Sequence, residues 1–128
     1  MSKEIIQTNL APAPIGPYNQ AIKANGFIFI SGQIALDPAT GETVTTSIED
    51  ETHLVMKNIT AILTEANISF SHIVKTTILL SDMSLFSKVN EVYGSYFTDG
   101  HPARETFAVK GLPRGVNVEI STTAVVDL

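Results

Sequence analysis

The run from Val116 to Val126 alternates without a break: Val116, Val118, Ile120, Thr122, Ala124 and Val126 take every other position, with Asn117, Glu119, Ser121 and Thr123 between them. Successive side chains of an extended strand point to opposite faces. The pattern therefore predicts a strand whose apolar face meets a core and whose Glu119 faces away from it. A second extended run lies just upstream, where Arg104, Thr106, Ala108 and Lys110 share a face. Joined through a turn at Gly111 and Pro113, the two runs are expected to form a hairpin carrying Arg104 and Glu119. A guanidinium fork matches a carboxylate and a glutamate suits a water to be activated, so such a hairpin can hold a small acid and attack it. The competing reading is an exposed ion pair of Arg104 with Glu105 or Glu119, of the kind that is common and contributes little.

Upstream, Glu4 to Thr8 reads as a short strand, and Tyr18 to Ala24 and Phe27 to Ile34 as two more, separated by Asn25-Gly26, a pair that tolerates positive φ and marks a hairpin. Ala11-Pro12-Ala13-Pro14-Ile15-Gly16-Pro17 is expected as an ordered loop, and Asp37 to Gly41 as a turn that closes the third strand. From Ser47 the period becomes helical. Ile48, Val55, Ile59, Ile62, Leu63 and Ala66 fall on one face, Ser47 with Asp50 resembles a capping box, and Asn67 is the expected stop.

Ile73 to Leu80 is rich in β-branched residues and reads as a strand. Ser81 or Asp82 then opens a second helix with an apolar stripe of Phe86, Val89, Tyr93, Tyr96 and Phe97, ended by Gly100 and Pro102. The order is β-β-β-α-β-α-β-β. It predicts an α+β fold, a mixed sheet with both helices on one face. Two helices cover one face only, so the other face is expected to be shielded by further subunits.

The 128 residues contain no repeat or linker and are expected to form a single domain spanning 1–128. A net charge of −5, with Lys and Arg scattered singly, argues against a nucleic-acid partner, which needs a basic stripe. The absence of cysteine removes disulfides, thiolate catalysis and Cys-ligated zinc. The N-terminal stretch carries a glutamate and lacks a long apolar core, so neither a signal peptide nor a membrane span is expected, and the cytoplasm is the default compartment.

His53, His72 and His101 stand far apart with no second histidine at ligand spacing, so no metal site is expected. Ile30-Ser31-Gly32-Gln33 is not a nucleophile elbow, and Ser31 reads first as a strand hydroxyl satisfied by a neighbouring carbonyl. Gly41 and Gly111 belong to turns and form no phosphate cradle. Asn90 borders the stripe of the second helix. It either ties that helix to a loop or reaches a ligand or an adjacent subunit, and Tyr18 carries the same two readings.

Taken in order, Ile15-Gly16-Pro17-Tyr18, Ser31-Gly32-Gln33, Val74-Lys75-Thr76-Thr77, Val89-Asn90, Pro102-Ala103-Arg104 and Leu112-Pro113 through Val118-Glu119-Ile120 resemble the RidA/YjgF family of reactive-intermediate deaminases over nearly the whole chain. The resemblance implies a chorismate-mutase-like homotrimer with clefts between subunits. The implied reaction is hydrolysis of 2-imino or enamine acids, such as 2-iminobutanoate and 2-iminopropanoate, to 2-keto acids and ammonia. Pyridoxal-phosphate dehydratases acting on serine and threonine release such intermediates, so the role implied is metabolite damage control in amino-acid metabolism.

By the same resemblance Arg104 binds the substrate carboxylate and Glu119 positions water. Tyr18, Ser31 and Asn90 line the site, and Gly32 offers a backbone carbonyl. Thr106 stands where members often have cysteine and offers a backbone N–H. No metal or organic cofactor is implied. Glu105 departs from the small or apolar residue usual after the arginine; strand alternation turns it away from Arg104, toward a subunit contact. Two alternatives remain within the resemblance: a non-catalytic regulatory trimer that binds 2-keto acids, and a chaperone-like or RNA-cleaving role, the latter opposed by the acidic charge.

Overall fold

Asn25 and Gly26 adopt φ of 53° and 81°, the paired positive values of a type I′ turn. They join strand β2 (Ala21–Ala24) to β3 (Phe27–Gln33). The computed structural model describes residues 2–127. Its other elements are β1 (Glu4–Ile6), α1 (Ile48–Glu65), β4 (Ile73–Leu80), α2 (Phe86–Gly94), β5 (Ala103–Ala108) and β6 (Val118–Val125). The order is the one expected from the pattern. β2 starts later than expected, because residues before Ala21 belong to the loop.

One six-stranded sheet runs β1-β2-β3-β6-β4-β5. Every neighbouring pair is antiparallel except β4 with β5, so the sheet is mixed. The expected Arg104–Glu119 hairpin does not form. β6 inserts between β3 and β4, and β5 sits at the sheet edge, parallel to β4. A parallel pair cannot close through a tight turn, and α2 supplies the crossover from β4 to β5. Residues 109–117 then carry the chain back past β4 to the centre of the sheet.

α1 and α2 cover one face. Ile28, Ile30, Ile78, Leu80, Val118, Ile120 and Ala124 of the sheet pack with Val55, Met56, Ile59, Ile62 and Leu63 of α1 and Val89 and Tyr93 of α2. Burying such side chains is worth roughly 1.5–3 kcal/mol each before chain entropy is charged against it. The Ser47 hydroxyl accepts from the Asp50 amide at the start of α1 (3.0 Å), and Asn67 takes φ 60° just beyond its end. Asp82 accepts from the Ser84 amide (2.8 Å) and opens a 3₁₀ turn that leads into α2. α2 is shorter than expected. It ends at Gly94, and Tyr96 and Phe97 reach the core from the following turn, packing tilted and edge-on against Phe70.

The opposite face of the sheet has no helix. Phe27 (41% exposed), Phe29 (49%), Val74 (41%) and Phe107 (49%) stand there in the open, so the region expected to need a second cover is in fact apolar. No helix among the described residues is long and apolar enough to cross a membrane.

Candidate functional site

Arg104 lies on the helix-covered side of β5, in register with Thr76, which is in turn in register with Thr122. Its guanidinium carbon stands 5.4 Å from the Tyr93 ring centre and 5.6 Å from that of Phe86. Rings at this range attract the cation without neutralising it. Among the described residues no carboxylate lies within 4 Å of the guanidinium. Burial pushes the Tyr93 phenol above its ordinary pKa, so it stays neutral and donates a hydrogen bond to Thr76 Oγ1 (2.9 Å). That bond fixes the ring under the arginine.

Arg104 opens onto a cavity of about 360 Å³ lined by Asn90, Tyr93, Gly94, His101 and Pro102. The Asn90 side-chain oxygen is buried there and accepts no hydrogen bond among the described residues; neither does the buried hydroxyl of Thr106, two residues beyond Arg104. Buried polar atoms are nearly always satisfied, so the orphaned Asn90 oxygen, in the same cavity as an unpaired guanidinium, marks a place for a polar ligand; Thr106 and a third orphan, the Thr122 hydroxyl, do not line that cavity.

Glu119 occupies the other side of the sheet. β6 pairs Thr122 with Ile30 and Ile120 with Gln33, so Ser31 and Gly32 together oppose Ser121 and form a bulge in β3. The bulge brings Gly32 against Glu119. A Cβ on Gly32 would stand 2.8 Å from Glu119 Cδ and 3.0 Å from its Cγ, so the carboxylate lies where only a glycine leaves room. Half-burial pushes the Glu119 carboxyl above its ordinary pKa.

A second cavity of about 340 Å³ holds Glu119 with Ile15, Tyr18, Ser31, Gly32, Ile34 and Pro113. The Tyr18 phenol oxygen accepts weakly from the Ile15 amide (3.3 Å) and is otherwise exposed. Ser31 Oγ donates to the Asn19 carbonyl (2.6 Å), the satisfied strand hydroxyl of the simpler reading. The loop that carries Tyr18 is pinned by the buried Gln20 side chain, which accepts from the Thr8 amide (2.8 Å) and donates to the carbonyls of Thr8 (3.0 Å) and Pro12 (2.8 Å).

The expected residues thus fall into two groups within one chain: Arg104, Asn90 and Thr106 on the helix side, and Glu119, Tyr18, Ser31 and Gly32 on the open side. The expectation that Arg104 and Glu119 act together from one hairpin is corrected by the register. Arg104 shares a row with Thr76 and Thr122, whereas Glu119 shares one with Leu79 and Phe107, the opposite parity.

Glu105 does not lock Arg104. It turns to the open face, accepts from the Thr77 hydroxyl and pairs with Lys75 Nζ (3.0 Å), and these contacts hold its carboxyl below the ordinary range. Two residues of the arginine cavity escaped the sequence pattern. Tyr93 reads as one more member of an apolar stripe, and His101 has no partner nearby in sequence. Gly32 was open to a structural reading from sequence, because a lone glycine inside a strand pattern signals a bulge or close approach. Among the described residues no group of three or more His, Cys, Asp or Glu is placed to hold a metal.

Residues 8–126 match the model of the family described as Endoribonuclease L-PSP. A RutC family protein of Pyrococcus horikoshii is 51% identical over 122 residues, covering 95% of this chain and 97% of that one. The 2-iminobutanoate/2-iminopropanoate deaminase of Mus musculus is 46% identical over 123 residues, covering 96% and 91%. The crystal structure of E. coli TdcF with bound serine superposes with a TM-score of 0.91 at 37% identity, covering 95% of this chain and 98% of that one.

Proposed function

Because the chain belongs to the Endoribonuclease L-PSP family, the RidA/YjgF group, we propose that it is a cytoplasmic imine deaminase whose sites lie between the subunits of a homotrimer. It hydrolyses reactive 2-imino and enamine acids to 2-keto acids and ammonia. One observation carries this reading. Each chain offers an unpaired guanidinium on one side of the sheet and a half-buried carboxylate of raised pKa on the other, so a second copy is what brings the two halves together. The uncovered Phe27, Phe29, Val74 and Phe107 supply an apolar face for that copy.

In the mechanism Arg104 takes the substrate carboxylate bidentately and the Thr106 amide assists, which leaves the imine carbon facing Glu119 of the adjacent subunit. Glu119 removes a proton from a water whose oxygen bonds to the C=N carbon of the protonated imine, the C=N π pair passing to nitrogen, and the protonated Glu119 then gives its proton to that nitrogen. The resulting carbinolamine loses ammonia and leaves the 2-keto acid. A carboxyl raised by burial is a better base than an exposed one, and base catalysis of this kind contributes roughly 10²–10⁴-fold. The residues described need no metal or organic cofactor for these steps.

The name of the mouse relative supports the substrate class, and the serine held by TdcF supports a ligand the size of a small amino acid. The test mixes the protein with a threonine dehydratase and semicarbazide. Keto acid should rise at the expense of the trapped adduct, and Arg104→Ala should abolish the gain; an undiminished gain refutes the site. The family description also favours a second reading, RNA cleavage. The net charge of −5 opposes it, and salt-dependent RNA binding would revive it. In a purely regulatory 2-keto-acid-binding trimer, Glu119→Gln would leave the protein's function untouched.

A further inference from the structure

We propose that Glu51, at the start of α1, is a positioning residue that sets where the Glu119 carboxylate stands. Glu51 is completely buried. Its Oε2 accepts from the amides of Asn117 (2.6 Å) and Val118 (3.1 Å), and its Oε1 accepts from the Asn117 side-chain amide (2.9 Å). Among the described residues it has no cationic partner within 4 Å. A carboxylate in a core is costly unless hydrogen-bonded, and here every bond it makes goes to the two residues immediately before Glu119.

The strand needs that support at this point. Pairing of β6 with β3 resumes beyond the bulge at Gln33 and reaches back only to Ile120, because β3 ends at Gln33. On the other side β4 continues to Val118, and Asn117 is tied to the end of β4 through the Ser81 amide (2.9 Å) and the Ser81 hydroxyl (2.9 Å). Glu51 supplies from the helix layer the acceptors that β3, which ends at Gln33, does not. Glu119 then lies between two constraints: Gly32 limits where its side chain goes, and the Glu51 clamp limits where its backbone goes. Arg104 hangs from β5 and takes no part in this clamp, so binding and base positioning are mechanically separate.

The inference rests on Glu119 as the base and is tested beside it, with Glu51→Gln, which keeps the shape but leaves one acceptor oxygen for three N–H donors and sets its NH2 against one of them. Expected in the coupled dehydratase assay is a kcat lower by about tenfold or more, with affinity for 2-oxobutanoate within twofold of the parent, since a 1 Å displacement of a catalytic group costs up to about 10²-fold. Leu63→Ala, three turns further along α1, is the matched control: it lowers Tm and leaves kcat intact below the transition. Glu51→Gln at the parental kcat while Glu119→Gln is inactive overturns the clamp alone; Glu119→Gln at the parental rate overturns the base and the clamp together. Loss of kcat and of 2-oxobutanoate affinity in equal proportion in Glu51→Gln also overturns the proposal, because a general loss of structure then explains both.

Discussion

Adding one methyl at Gly32 is the sharpest perturbation that the geometry allows. The new Cβ would lie 2.8 Å from Glu119 Cδ and 3.0 Å from Cγ, against an ordinary contact of roughly 3.5–4.0 Å. The carboxylate must therefore retreat by about 1 Å, which for a group that aims water at a carbon costs on the order of 10²-fold in kcat. Gly32 has no positive φ, so alanine suits its backbone, and the lost freedom of the unfolded chain contributes about 0.4–1 kcal/mol in favour of folding. Gly32→Ala should thus melt within a few degrees of the parent, bind 2-oxobutanoate normally through Arg104, and accelerate imine hydrolysis about a hundredfold less. The readouts are semicarbazide partition, isothermal titration and circular dichroism. A variant that stays folded and turns over at the parental rate would refute the idea that Glu119 works from its position against Gly32.

Further outcomes follow from the charges and the open face. Because burial raises the Glu119 carboxyl, kcat/KM should fall off on the acid side at a pH above the ordinary carboxylate range. The same shift has a stability sign: the folded state holds this proton more tightly than the unfolded one, so its stabilising contribution is full below the unfolded pKa and is lost as pH rises through the folded pKa. Glu119→Gln should therefore raise Tm at neutral pH, and the gain should vanish in acid; a lower Tm at pH 7 would contradict the assignment. Phe29→Asp, on the uncovered face, should shift sedimentation from trimer to monomer and remove activity with it, whereas an active monomer would show that the halves need no second copy.

What could be read from the sequence was local. The alternation of residues 116–126 returns as the burial pattern of β6, Asn25-Gly26 forms its turn, and Ser47 and Asn67 bracket α1, because each signal acts over a few residues. The neighbours of β6 were not legible, since strand partners are chosen across the whole chain. Parity within a strand shows which of its residues share a face but not which face of the sheet that is. Arg104 and Glu119 were each placed correctly within their own runs and yet lie on opposite sides. Gln20 and Glu51 hold segments that are remote in sequence, and nothing in their immediate neighbours distinguishes them from surface residues. The Ser31 hydroxyl finds a neighbouring carbonyl, as a strand hydroxyl is expected to, and also lines the Glu119 cavity, whereas the separation of Glu105 from Arg104 follows directly from alternation.

The shared site is tested most directly by subunit mixing. Arg104→Ala and Glu119→Gln, each inactive alone, are unfolded together in equal amounts and refolded. In a cyclic trimer about one cleft in four then pairs an intact arginine with an intact glutamate, so about a quarter of the parental activity should return. Recovery at that level is the predicted result; a mixture as inactive as its components, despite demonstrated subunit exchange, would contradict the claim that the two residues act from different chains.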